Sequence, residues 1–466
     1  MCICVWKPVL ATAAAAMLIG GVALGEPGST AVIRQTVRLV NPQLSPPSNA
    51  YAQNAYYQAE AGESPFTEEA PMPPLPQDGS YDRPPAEPPI LPVAQPEDPP
   101  GEEVDDAPVY QPQAAAPAPP QPWRLPQPRV LQAAGITMGG WLQQGITLNA
   151  QVPNDRLNGP IATNDRHAEW QMNQLWLYFV KQIDNGGYGW DLGGRLDMIY
   201  GSDYRFGLNW GLEDKINGVD QFYGLVIPQM YAEVAYNDLS VKLGHFAGLL
   251  SYEQVPAVAN FFYSHSYAMY MTEPLLVTGL MADYKLTDQW SLLAGFHRGW
   301  MMWEDLNKDV DFMGGLKWAS LDKSTSIGYT VSVGPQDPVA GDQNRFAHSL
   351  LIQRQLNEKW RYVLQQNLGH ENNGDPRSNK DAEWYGINQY LFYTINDRLK
   401  LGSRIEWWQT DSNENRYEWT CGVNIRPHAN VVFRPEVRYD WGNAVLVPNQ
   451  HGGEITTFNI DAIVTF

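Results

Sequence analysis

The sequence predicts an all-β chain: a transmembrane antiparallel up-and-down β-barrel of about 16 strands, preceded by a disordered Pro-rich segment. Three observations predict it. From Gly135 onward, apolar and polar residues alternate with period two. The connections between the alternating segments are short and long by turns. One face of each segment is apolar while the other carries many charges.

The alternation is clearest near the end of the chain. In residues 455–466, Thr456, Phe458, Ile460, Ala462, Val464 and Phe466 share one face, and Asn459, Asp461 and Thr465 the other. Successive side chains of a strand point to opposite faces, so these sets separate. Leu399, Leu401, Ile405 and Trp407 likewise stand against Lys400, Arg404 and Glu406. Segments of this kind lie at 135–150, 169–182, 187–200, 223–236, 239–248, 272–286, 289–303, 309–320, 323–334, 344–356, 359–370, 382–395, 398–409, 416–426, 430–442 and 455–466.

Tight turns follow every second segment: 184–187, 237–238, 287–288, 322–323, 357–358, 396–397 and 427–430. Their Asn, Asp and Gly residues suit hairpins. The other connections are mostly longer: 151–168, 201–222, 249–271, 335–343, 371–381, 410–415 and 443–454. Short turns at one end and long loops at the other are the pattern of outer-membrane barrels. Closure satisfies every backbone donor and acceptor without water, which lets such a sheet cross lipid. Trp290 and Trp360 at the turn end, and Trp407, Tyr417 and Trp441 at the loop end, fall where interfacial aromatics belong.

Composition agrees. The 466 residues are 44% hydrophobic, 12% aromatic and only 18% charged. Mean hydropathy is −0.37, which excludes a bundle of membrane helices. A net charge of −20 excludes a nucleic-acid partner, which would need a basic face. Residues 1–25 read as a signal peptide, with Lys7 ahead of an apolar Ala-rich run and small Ala23 and Gly25 before the cleavage point. Residues 26–133 read as a disordered, acidic, Pro-rich periplasmic segment, because 24 of the 37 prolines lie between Asn41 and Val130. Proline removes donors and little apolar surface is present to offset ordering entropy. Residues 134–466 form the expected barrel domain.

The inward-facing charges are the candidate pore lining: Arg195, Asp197, Arg404, Glu406, Glu418, Arg426, Arg434, Glu436, Arg438 and Asp440. Charges that face a wet lumen avoid the desolvation cost of a dry core and set the field that ions feel. The hairpin register expected for 399–441 stacks Glu406, Glu418 and Asp440 near the loop end, with Arg404 and Arg438 one layer deeper. On that arrangement, neutralising Arg404, Arg434 and Arg438 shifts selectivity toward cations. The segment 249–271 is long, aromatic and nearly uncharged. It either folds into the lumen or packs on a neighbouring subunit. Eight histidines show no metal spacing, and no GxSxG, HExxH or Gly-rich phosphate motif occurs, so no enzyme, cofactor or metal is expected.

Three phrases carry a family resemblance: RLDMIYGSD (195–203), KLGHFAGLLSYEQ (242–254) and YGINQYLFYTINDRLKLGSRIEWWQTD (385–411). They resemble the β-barrel porin-2 (OmpL-like) family over about 135–466. The continuation WQTDSNEN departs from the family's usual aromatic, basic and Gly-containing turn. The resemblance implies a porin of the cell outer membrane that passes small hydrophilic solutes or ions by diffusion. Its expected partners are outer-membrane lipid and those solutes, with a homo-oligomer and a cell-wall contact through the N-terminal segment also open. The alternative is a structural barrel whose Pro-rich tail anchors to the cell wall or a partner.

Overall fold

Sixteen strands account for nearly all of the regular structure: β1 (Thr137–Asn149), β2 (Trp170–Lys181), β3 (Trp190–Gly201), β4 (Gly224–Tyr236), β5 (Leu239–Ala247), β6 (Leu276–Lys285), β7 (Trp290–Trp300), β8 (Asp311–Ala319), β9 (Thr325–Pro335), β10 (Asn344–Gln355), β11 (Trp360–Asp375), β12 (Lys380–Asn396), β13 (Leu399–Thr410), β14 (Asn415–His428), β15 (Val431–Val447) and β16 (Gln450–Thr465). The computed structural model describes residues 122–466 except 160, 219–220, 306–307, 337–343, 376–379, 412–413 and 448–449. The expected signal peptide and residues 26–121 of the Pro-rich segment lie outside the described residues.

The strands pair in chain order, each antiparallel to the next, and β16 pairs with β1 to close the barrel. Every expected segment holds a strand. The differences are at the long-loop end. There the β11–β12 and β15–β16 hairpins continue through stretches expected as loops, with Glu371 opposite Ala382 and Leu446 opposite His451. Once neither face of a hairpin meets lipid, its pairing no longer needs an apolar face, so the periodic signal ends before the hydrogen bonds do.

The outer face is apolar where strands are central. Leu243, Ile405, Trp419, Val437, Phe458 and Ile460 are exposed there. Aromatic pairs ring the short-turn end, Trp190–Tyr236 and Trp360–Tyr393 among them, and Tyr417, Trp441 and Tyr439 stack at the long-loop end. The two-residue turn between β4 and β5 places Asn237 at φ 52°, a conformation Asn tolerates better than most residues.

Residues 122–133, assigned above to the Pro-rich segment, pack on the short-turn end. The Trp123 ring stacks on Phe466. Asn430, in the β14–β15 turn, accepts from Trp123 N at 3.1 Å and donates to Trp123 O at 2.9 Å. The Gln127 amide donates to Met138 O at 2.7 Å and accepts from Met138 N at 2.8 Å. Proline cannot enter a ladder, so side-chain amides do the pairing here. A five-residue helix, α1 (Arg129–Ala133), then leads into β1.

Candidate functional site

The register of β13–β15 is the one the sequence predicts. Glu406, Glu418 and Asp440 stand side by side, and Arg404, Thr420 and Arg438 form the next layer. These charges face inward, but they do not face open water. The segment between β5 and β6 folds into the lumen and lies across them.

An infolded segment carries backbone groups with no ladder to join, and buried ones must find partners. The wall charges supply them. Glu436 accepts from Tyr263 N at 2.8 Å and Ser264 N at 3.0 Å. Glu406 accepts from Tyr267 N at 2.6 Å and Ala268 N at 2.7 Å, at the start of the short helix α2 (Tyr267–Met271). Arg404 donates to Ser264 O at 2.8 Å, Arg438 to His265 O, and Arg434 to Ala257 O at 2.9 Å and Asn260 O at 2.8 Å. The mixed signs of the wall therefore match the backbone: carboxylates meet N–H groups and guanidiniums meet carbonyls. Charge-assisted hydrogen bonds of this kind are the strong ones.

Ion pairs tie the wall charges to each other. Arg404 Nε lies 2.5 Å from Glu418 Oε1, Arg438 Nη2 2.7 Å from Asp440 Oδ1, and Arg434 Nη2 2.5 Å from Asp461 Oδ2. Arg404 and Arg438 are 0% exposed and Arg434 is 2% exposed. Their guanidiniums are buried against the infolded segment.

The other members of the expected lining sit apart. Arg195 pairs with Asp197 at 2.8 Å on β3, where Gln229 also donates to Asp197. Arg426 is half-buried near the short-turn mouth. Sequence reasoning missed Glu253, which lies on the infolded segment itself. It accepts from Arg404 Nη1 at 2.6 Å, Ser266 N at 2.8 Å and the Tyr390 hydroxyl at 3.1 Å. Burial pushes the Glu253 carboxyl up, but Arg404 and His265 more than offset this and hold it below the usual carboxylate range. As a carboxylate in an otherwise nearly uncharged stretch, Glu253 was the available signal.

A second signal was the glycines. An inward Cβ at Gly145 would lie 2.6 Å from the Tyr263 ring, and Cβ atoms at Gly402 and Gly422 would press on Phe261 and Phe262. Three glycines on three wall strands leave room for three consecutive aromatics of the segment.

With the segment held against β13–β16, space remains opposite. A cavity of about 660 Å³ lies between the segment and β4–β8. Glu233, Lys242, Asp283 and Lys317 line it, with Phe246 and Glu253 toward its inner end, and turn residues 185–188 and 237–239 border it at the short-turn end. Lys317 donates to Asp283 at 2.8 Å, and Lys242 lies 4.9 Å from the Tyr231 ring centroid. None of the ten expected lining residues borders this cavity.

Ser332, His297 and Asp311 form a grouping that superficially suits nucleophilic catalysis. His297 Nε2 lies 3.2 Å from Ser332 Oγ, and Nδ1 lies 3.9 Å from Asp311 Oδ2. But Nδ1 accepts from Gly299 N at 3.1 Å, so the neutral ring carries its proton on Nε2 and donates it to the serine. A general base must accept that proton. All three residues are buried. Among the described residues, no group of three or more His, Cys, Asp or Glu is placed to hold a metal ion.

A closed 16-strand antiparallel barrel, apolar outside, charged inside and narrowed by an infolded segment, belongs to the class of outer-membrane β-barrel channels. Residues 135–466 match the family described as beta-barrel porin-2, OmpL-like, and the chain belongs to that family. Two solved structures share the fold. The outer membrane channel DcaP of Acinetobacter baumannii is 11% identical, with 71% of this chain and 97% of that chain covered and a TM-score of 0.50. An anion-selective porin from Comamonas acidovorans is 10% identical, with 71% and 99% covered and a TM-score of 0.51. No curated protein matches the sequence.

Proposed function

We propose that this protein is an outer-membrane porin, a passive channel for small hydrophilic solutes or ions, and not an enzyme. The observation that carries this reading is the division of the lumen. One wall is committed to fastening segment 249–271, and the opposite wall keeps a charged cavity of about 660 Å³ that reaches the short-turn end. A barrel of sixteen strands is wide enough for an aqueous channel, and an infolded segment sets the size limit. The short turns mark the periplasmic side, so the N-terminal segment lies in the periplasm. The apolar outer face meets lipid and, in a homo-oligomer, a second copy. The inward Ser332–His297–Asp311 set holds its proton on the wrong nitrogen for acyl transfer.

Reconstitution of the refolded chain in a planar bilayer tests this. Discrete conductance steps, with liposome swelling by small sugars and exclusion of larger ones, are expected. A correctly folded barrel that conducts nothing would overturn the channel reading in favour of an anchoring barrel.

A further inference from the structure

The charges along the cavity wall come in pairs of opposite sign. Lys317 on β8 gives an N–H to Asp283 on β6 at 2.8 Å. Asp283 stays 42% exposed beside it, so this pair is reachable from the cavity. Glu233 on β4, which also accepts from the Ser240 hydroxyl, stands directly opposite Lys242 on β5. Both pairs line the cavity, and their four charges cancel. Two further charges that border it are committed to partners outside these pairs. Lys285 pairs with Asp288 at 2.8 Å, and Glu253 with Arg404.

Beside and behind these charges the wall is apolar. Phe246, Met281 and Leu293 belong to one buried cluster, Leu249 packs against it, and all four border the cavity. The register interleaves the two kinds of surface. Lys242 lies opposite Met281, and Asp283 opposite Leu293.

Because the charges are already paired, the pairing decides what binds well. An anion that draws Lys317 toward itself strands Asp283, and a cation at Asp283 strands Lys317. Stranding one member of a pair offsets the new contact. A zwitterion strands neither. Its carboxylate takes further N–H groups of the lysine, which has three, and its ammonium donates to a carboxylate with several lone pairs. Neighbouring strands lie ~4.8 Å apart, so opposite charges on them suit a solute whose own charges are separated by a single carbon. An apolar group on that carbon then meets Met281, Leu293 and Phe246.

We propose that this cavity binds zwitterionic solutes that carry an apolar group, the class of apolar and aromatic α-amino acids, in preference to simple anions, cations and sugars. Their passage rests on the channel reading above, whereas their binding needs only the cavity.

Calorimetric titration of the refolded full-length chain in detergent micelles at neutral pH reads binding without conduction. Free phenylalanine is expected to bind saturably. Three solutes each lack one feature: phenylpropanoate the ammonium, phenethylamine the carboxylate, and glycine the apolar group. The first two are expected to bind at least about tenfold more weakly, the loss of one charge-assisted hydrogen bond. Glycine is expected to bind severalfold more weakly. The K242Q/K317Q chain should come to prefer phenethylamine, and the E233Q/D283N chain phenylpropanoate. Charges that only brace the wall would not exchange the preference in this way. No saturable binding of phenylalanine by the native chain, or equal binding of phenylpropanoate or phenethylamine, would overturn the proposal whatever the variants do. In liposomes, phenylalanine is expected to enter faster than a sugar of similar size. Saturable binding by a barrel that conducts nothing would leave the site standing and overturn the passage alone.

Discussion

Arg404 on β13 and Glu253 on the infolded segment meet at 2.6 Å, Nη1 to Oε1, with both side chains buried. This contact joins residues 151 positions apart and fixes where the segment crosses the lumen. Removing Arg404 leaves the Glu253 carboxylate buried without its arginine, which costs about 3–5 kcal/mol, whereas removing Glu253 leaves Arg404 still paired with Glu418 and costs less.

E253Q and R404Q are therefore expected to release the segment. The measurable result is a larger and noisier single-channel conductance, with an earlier heat-induced shift to the unfolded electrophoretic form. With R404Q, ion selectivity is expected to change little, because Arg404 is buried under the segment and does not line the cavity, whereas Glu253 borders it. An unaltered conductance with normal heat stability would show that the backbone bonds to Glu406 and Glu436 hold the segment without this pair.

Gly402 tests the fit from the other side. A methyl group there meets the Phe261 ring. Overpacking of this kind costs about 1–3 kcal/mol. G402A should unfold at lower urea concentration than the native barrel, and G402A with F261A should recover part of the loss. Failure of F261A to rescue would place the strain elsewhere.

The cavity gives an ion-selectivity prediction that differs from one based on the fastened wall. Lys242 and Lys317 line it opposite the segment. Neutralising both as Gln should move the reversal potential in a salt gradient toward cation preference. R434Q should not do so to the same degree. If R434Q shifts it more, the ion path runs along β13–β16 after all.

Glu213, in the connection between β3 and β4, offers a pH test. It accepts from Ile227 N at 2.9 Å and Asn209 N at 3.0 Å. Burial pushes its carboxyl from 4.5 up to about 7, against the lowering effect of those hydrogen bonds. A carboxyl raised on folding favours the folded state most when protonated. Its contribution is thus largest below the ordinary value, falls as pH rises toward about 7, and is constant above. Amide exchange at Asn209 and Ile227, corrected for intrinsic rates, should speed up across that window. E213Q should flatten the dependence.

The barrel was legible because its cause is local. Each strand sits between lipid and lumen, so the period-two pattern is written into every segment, as in Leu399, Leu401 and Ile405 against Lys400, Arg404 and Glu406. The even strand count, the short and long ends and the β13–β15 register follow from that pattern and from turn residues. The inward direction of Arg404, Glu406, Arg434 and Asp440 was equally legible, since parity alone sets it.

What those charges do was decided by tertiary structure. Tyr267 and Glu406 lie 139 residues apart, and Tyr263 and Glu436 lie 173 apart. No periodicity links an infolded segment to the wall it will cover. Apart from Pro256, its residues all carry the same carbonyl and N–H, so which guanidinium or carboxylate satisfies each one depends on the path of the chain through the lumen. The same path determined that β13–β16 would be a fastening wall and that the open space would lie along β4–β8. Only closure of the barrel brings those walls face to face around the segment.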